Sequence, residues 1–404
     1  MQRSSHITRP GHRPRVTGSA VIPLLSYGFR PFFLGAAIWA IVALLCWIGS
    51  LANFWQLAPG YGAAAWHAHE MLFGSASAVV AGFLLTAVPN WTGRLPVAGL
   101  RLGLLFLLWC LGRLAFLAVG TFGTLPAILI DSIFLPCVLI IMGREIVVGG
   151  NWRNLAPLAI VALLAAANVT FHVEVLMTGA PTFGLRAGVA ALVALIVLIG
   201  GRITPSFTHN WLFRAGSPVL PATFGIVDKL ALGISAAALL LWIAAPATVT
   251  ALLFIMAAVV LSVRLWRWEG IRTWREPLLL VLHLGYGFVP LGLLLAAISI
   301  LSPGTLVGTA ALHAWTVGAV GLMTLGVMTR ATRGHTGRAL TASGMTVATY
   351  GVMVAAAVLR IAAGLFPQAY LSLIELSGFA WITAFSLFLV EYAPMLLGPR
   401  LERN

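Results

Sequence analysis

A few ionisable residues of this chain stand where lipid is expected. The stretch WHAHEMLFGSASAVVAGFLLTAVP, Trp66 to Pro89, sets His67, His69 and Glu70 at the mouth of a long apolar run. His172 and Glu174 lie in FHVEV, His283 in VLHLG, and His313 in LHAWTVGAVG. Groups of this kind are costly inside a bilayer, and those that persist mark relays, pathways or cofactor sites. Imidazole suits copper, zinc and iron, haem iron included. His67, His69, His172, His283 and His313 are therefore candidate metal ligands.

Spacing refines the first of these. Residues two apart on a helix differ by about 200° in direction. His67 and His69 then serve two separate sites, or converge on one metal only where the helix has not yet begun. His67 and Glu70 are three apart and share a face. That geometry lets a carboxylate orient a ligating imidazole or pass a proton. Glu174, beside His172, is assigned the same orienting role.

The elements that must hold these residues follow from composition. Of 404 residues, 60% are hydrophobic and 8% are charged, against about 25% charged in an ordinary soluble domain. A bilayer span takes about 20 apolar residues. Twelve such runs are read, roughly at 31–51, 66–89, 101–119, 124–143, 155–177, 183–201, 219–244, 247–264, 277–300, 304–328, 342–365 and 369–392. The expected fold is an all-α, polytopic bundle over residues 30–393. A disordered basic tail, 1–29, precedes it and a short tail, 394–404, follows.

The net charge of +14 would point to nucleic acid in a soluble chain. Here it marks orientation. Arg3, Arg9, Arg13 and Arg15 fill the N-terminal tail, and Arg or Lys recurs in every even-numbered connection, among them Arg94, Arg144, Arg202, Arg264 and Arg330. The interiors of the odd connections carry none. Positive residues stay inside, so both termini are expected in the cytoplasm. The partner of the basic side is anionic lipid, not nucleic acid. Cys46, Cys110 and Cys137 lie in separate apolar runs and read as small buried hydrophobes.

Depth then sorts the polar groups. His67, His69, His172, Glu174 and His313 fall towards the outer side, with His313 roughly 13 Å into its run at helical rise. His283 starts from the inner side and approaches the middle. Arg113, Arg186 and Arg360 also fall in the outer half; Arg113 and Arg360 are candidate cations for haem propionates, and Arg186 reads as snorkelling. A second polar set lies inside, in GGRITPSFTHN and VMTRATRGHTGR. Thr-Pro and Gly-His-Thr-Gly there signal defined turns, and Arg202, His209, Arg330, Arg333 and His335 form a candidate anion or propionate clamp. WHAHEMLFGSASAVV and LHAWTVGAVGLMTLG share a loose pattern, His near the start and small residues after it. SYGFRPFFLGAA reads as an interfacial helix start without chemistry.

These stretches together resemble the NnrS family: SYGFRPFFLGAA, WHAHEMLFGSASAVVAGFLLTAVPNWTGRLP, GGRITPSFTHN and LHAWTVGAVGLMTLGVMTRATRGHTGR. The motifs run from Arg30 to Arg338. The resemblance implies a bacterial inner-membrane protein containing haem and copper, produced in response to nitric oxide and protective against nitrosative stress. It carries over His67, His69 and His313 as motif positions, without assigning ligands. Two other classes fit twelve spans with intramembrane His, Glu and Arg. One is a secondary transporter of an anion or metal complex. The other is a haem-copper redox enzyme, for which the intramembrane histidines are too few.

Overall fold

The structure, a computed structural model, describes residues 22–303 and 307–402. Most of the N-terminal tail, and with it the disorder expected there, lies outside the described residues. The chain enters through a 3-10 turn, Pro23–Leu25.

Among the described residues there is no strand, and twelve helices are long and apolar enough to cross a bilayer. They are α1 (Phe29–Leu51), α2 (Ala63–Thr92), α3 (Leu100–Leu117), α4 (Thr124–Val148), α5 (Trp152–Thr178), α6 (Phe183–Arg214), α7 (Ile226–Ala244), α8 (Thr248–Trp266), α9 (Pro277–Leu301), α10 (Val307–His335), α11 (Gly344–Leu365) and α12 (Pro367–Leu397). Only helices satisfy every backbone group within one lipid-exposed segment, which is why so apolar a chain takes this form. The protein is a multi-pass membrane protein. An even number of spans brings the start of α1 and the end of α12 to the same face, called here the terminal face. Arg30 fastens them there, its Nη1 donating to the carbonyls of Leu396 at 2.8 Å and Gly398 at 2.7 Å. The arginine of SYGFRPFFLGAA thus caps the last helix, a role in folding that the sequence did not signal.

Three helices spaced four apart in the chain, α2, α6 and α10, meet in the middle of the bundle. Each contains a π-helical segment: Glu70–Ala76, Ile196–Gly200 and Ala314–Gly321. In α2 and α10 that segment opens at the residue after a histidine, His69 and His313. The loose sequence likeness of these two runs is therefore a likeness of backbone. π-segments are rare and gather at functional sites.

Two expected boundaries need correction. GGRITPSFTHN and VMTRATRGHTGR, read as turn-bearing inner loops, are helical as far as Arg214 and His335. Pro205 sits inside α6 and offers no N–H to the carbonyl of Gly201. Arg264, counted among the loop arginines, is buried and repairs this: its Nη2 donates to Gly201 O at 3.2 Å and its Nη1 to Val197 O at 2.9 Å. Its Nε donates to Asp228 at 2.8 Å. A side chain on Gly201 would occupy the guanidinium's place. An interrupted membrane helix is tolerated where a neighbour restores its hydrogen bonds in this way.

Candidate metal centre

The HAH pair divides between two places. His69, the last residue before the π-segment of α2, points between α4 and α5. Its ring centroid lies 4.5 Å from that of His172 on α5. His69 Nε2 is 3.2 Å from Asp131 Oδ2 on α4, and His172 Nε2 is 3.0 Å from the same oxygen. Ligand atoms of His69, Asp131 and His172 all fall within 4.8 Å of one another, and all three residues are buried. Ligands ~2.0–2.2 Å from one metal lie ~3 Å from each other, a spacing that the hydrogen bonds of this cluster share, so the three side chains could hold a metal ion.

A surrounding layer fixes these groups. His69 Nδ1 donates to Glu70 Oε1 at 2.9 Å. Glu70 Oε2 accepts from Trp39 Nε1 on α1 at 2.7 Å and from Arg113 Nη1 on α3 at 2.7 Å. The other arm of Arg113 binds Asp131 Oδ1. Asn168, one turn before His172, donates to Asp131 Oδ2 at 2.8 Å and offers its Oδ1 to His69 Nε2 at 2.9 Å. His172 Nδ1 meets the hydroxyl of Tyr61 at 2.9 Å. Burial, with the carboxylates of Asp131 and Glu70, pushes that phenol above its usual pKa and keeps it neutral. Gly74, within the π-segment, leaves the space that Arg113 crosses.

The charge balance shows what this cluster lacks. Two carboxylates face one arginine in a dry interior, and Nε2 of His69 faces two oxygens. A proton or a metal cation on that nitrogen satisfies the arrangement; a bare lone pair does not.

His67 leads elsewhere. Its ring stacks on Trp47 of α1, with centroids 4.9 Å apart and planes at 15°. Its Nδ1 is buried with no hydrogen-bond partner. His313 holds its own helix through Nδ1, 2.8 Å from Thr309 O. It lies within electrostatic reach of both His67 and Arg360, whose Nη1 is also buried and unpaired.

Several sequence assignments shift. Glu70 orients His69, not His67. Glu174 does not serve a histidine: its carboxylate accepts the backbone N–H groups of Thr182, Phe183 and Gly184 at 2.8, 2.8 and 2.9 Å and so caps α6. Arg113 is held by two carboxylates and is not a free cation. His283 lies in the terminal half of α9, away from the outer group, with Nε2 2.8 Å from the Thr208 hydroxyl. The inner clamp divides: Arg330 and His335 line one hollow, and Arg202, His209 and Arg333 lie outside it. Arg202 and His209 are exposed, and Arg333 pairs with Glu391 at 2.6 Å. Arg330 lies over the Phe207 ring at 4.3 Å, and His335 packs on Phe29. Asp131, Asn168 and Tyr61 were missed. The signal for Asp131 was present: a lone carboxylate in TLPAILIDSIFLPCV, deep in an apolar run.

A twelve-helix membrane protein with a buried two-histidine, one-carboxylate cluster is the class that these features define. The NnrS protein family model matches residues 23–400, nearly the whole chain. The chain belongs to the NnrS family. No curated protein matches it.

Proposed function

We propose that the chain is a metal-containing protein of the bacterial inner membrane, acting in the nitric oxide response and protecting the cell against nitrosative stress. The observation that carries this is the convergence of His69 and His172 on one oxygen of Asp131, in a buried cluster short of one positive charge. Family membership supplies the biological setting.

The donor set fits a transition metal. Two imidazoles and a carboxylate suit copper or non-haem iron, and copper is the assignment adopted from the family's character. His69 and His172 would bind through Nε2 and Asp131 through Oδ2. Glu70 and Tyr61 would hold the imidazoles from behind through Nδ1, as ligating histidines usually require. Arg113 and Trp39 keep Glu70 aligned. The fit for haem rests on the second place. His67 has a buried nitrogen without a partner, His313 stands near it, and Arg360 has a buried N–H to offer a propionate. Once bound, such metals supply a redox-active centre with affinity for a small diatomic ligand. The residues of this chain hold it, exclude water and balance its charge.

The test is direct. The protein purified in mild detergent is expected to contain copper and iron and to show a haem absorption band that shifts with nitric oxide. His69→Ala and His172→Ala should lose copper and keep the band; His67→Ala and His313→Ala should do the reverse. A folded, colourless, metal-free protein would sink the reading and leave a carrier as the better one.

A further inference from the structure

On the terminal face a cavity of about 620 Å³ opens between α1, α2, α6, α9 and α10. That volume falls within the range of small-molecule sites, roughly 300–1,000 Å³. Its charged lining is all of one sign: Arg214, Arg330 and Arg400, with His335 beside them, and no aspartate or glutamate among the described residues. Glu276, an acid that acts on Arg330, lies outside the lining. Its apolar walls are aromatic, with Phe29, Phe33, Phe83, Trp91 and Phe207. Arg214 and Arg400 are exposed, so water reaches the cavity past them. Arg330 is half-buried and held over Phe207 at 4.3 Å.

Phe83, Ile203 and Val327 also line a narrower, almost wholly apolar crevice of about 90 Å³ that runs between the three central helices. Its walls reach the π-segments, through Ala76 of α2, Ile196 and Ile199 of α6 and Val320 of α10. The cationic chamber and the apolar crevice thus share the walls formed by Phe83, Ile203 and Val327.

The C-terminal tail completes the chamber. Arg30 holds the end of α12, and the N–H of Leu401 donates to Thr336 O at 2.9 Å, at the end of α10. Those two fastenings place Arg400 in the cavity wall. Topology alone asks for positive residues near this face, but not for three arginines turned towards one aromatic hollow.

We propose that this chamber binds an amphipathic organic anion, its charged group on Arg214, Arg330 and Arg400 and its apolar part against the aromatic wall and the Phe83, Ile203 and Val327 side chains that border the crevice. The inference stands apart from the metal reading: none of these residues belongs to the His69 cluster or to the His67, His313 and Arg360 group. Charge-assisted hydrogen bonds from arginine to an oxyanion supply the specificity, and burial of the apolar part supplies much of the affinity.

The test uses the full-length protein in nanodiscs of neutral phosphatidylcholine. A fatty acid brominated beside its carboxyl group is titrated while tryptophan fluorescence is followed, with the matching brominated alcohol as the uncharged control. Saturable quenching by the acid and not by the alcohol is expected, with most of it lost in Trp91→Phe. Arg330→Gln and Arg214→Gln should each weaken binding about tenfold. Arg202→Gln, on the same face but outside the chamber, should not. Nanodiscs containing anionic phosphatidylglycerol then separate the sources: competition identifies a lipid headgroup, and unchanged affinity identifies a free organic anion. Equal quenching by acid and alcohol, or full affinity in both chamber variants, would overturn the proposal. A thermal melt of each variant confirms that the fold is kept.

Discussion

His69 and His172 approach the same atom, Asp131 Oδ2, at 3.2 and 3.0 Å, although they come from helices separated by two spans. One carboxylate oxygen therefore joins α2, α4 and α5. Asp131→Asn keeps the shape and removes the charge that balances a bound cation. Metal content at this centre should fall by at least ~10–100-fold in affinity, the loss seen even when only an orienting partner is removed. Elemental analysis after dialysis against a chelator measures it. Wild-type metal retention in Asp131→Asn would exclude the carboxylate as a ligand.

Glu70 separates ligation from orientation. It touches no proposed ligand position but holds His69 through Nδ1 and takes two further donors, from Trp39 and Arg113. Glu70→Gln keeps the volume and offers an amide where Arg113 needs an anion. Affinity should drop ~10–100-fold, and unfolding should become easier by about 3–5 kcal/mol, because a buried arginine loses one of its two counter-ions. A melt with and without copper separates the two effects. A variant as stable and as metal-loaded as the wild type would make Glu70 a spectator.

The sequence made the twelve spans and their alternating charge legible, because both are one-dimensional properties: apolar length and the side on which Arg falls. It also marked His69 and His172 by depth. It could not pair them. Which histidine Glu70 serves depends on the π-segment that begins at that residue, and no periodicity argument with 3.6 residues per turn anticipates it. Glu174 looked like a partner of His172 because only one residue separates them. On a helix that spacing turns the carboxylate away, and the open start of α6 took it instead. Tyr61 lies in a connection between spans, where residue type says nothing about what a folded neighbour will bring. Arg264 was read as a loop charge because the broken hydrogen bond at Pro205 becomes visible only when α6 is seen to continue.

Arg264 also gives a stability prediction remote from the metal. Its guanidinium joins Asp228, Tyr286 and two carbonyls of α6. Arg264→Met leaves Asp228 a buried charge without its counter-ion, held only by the Gly225 N–H, at a cost of about 3–5 kcal/mol. The double variant Arg264→Met, Asp228→Asn removes that charge and should recover much of the loss; what remains measures the unsatisfied carbonyls of Gly201 and Val197. Thermal unfolding in detergent reads both. A double variant no more stable than the single one would place the cost in the carbonyls instead of the ion pair.

Orientation can be tested without touching any site. The terminal face carries the arginines of the even connections, and positive residues stay on the cytoplasmic side. Alkaline phosphatase, active only outside the cytoplasm, should be active when inserted at Gln56, between α1 and α2, and inactive when fused after Leu401. Green fluorescent protein at the latter position should fluoresce. The reversed pattern would turn the molecule over. It would set the His69 centre at the cytoplasmic end and the arginine chamber at the outer one, and the anion it binds would then come from outside the cell.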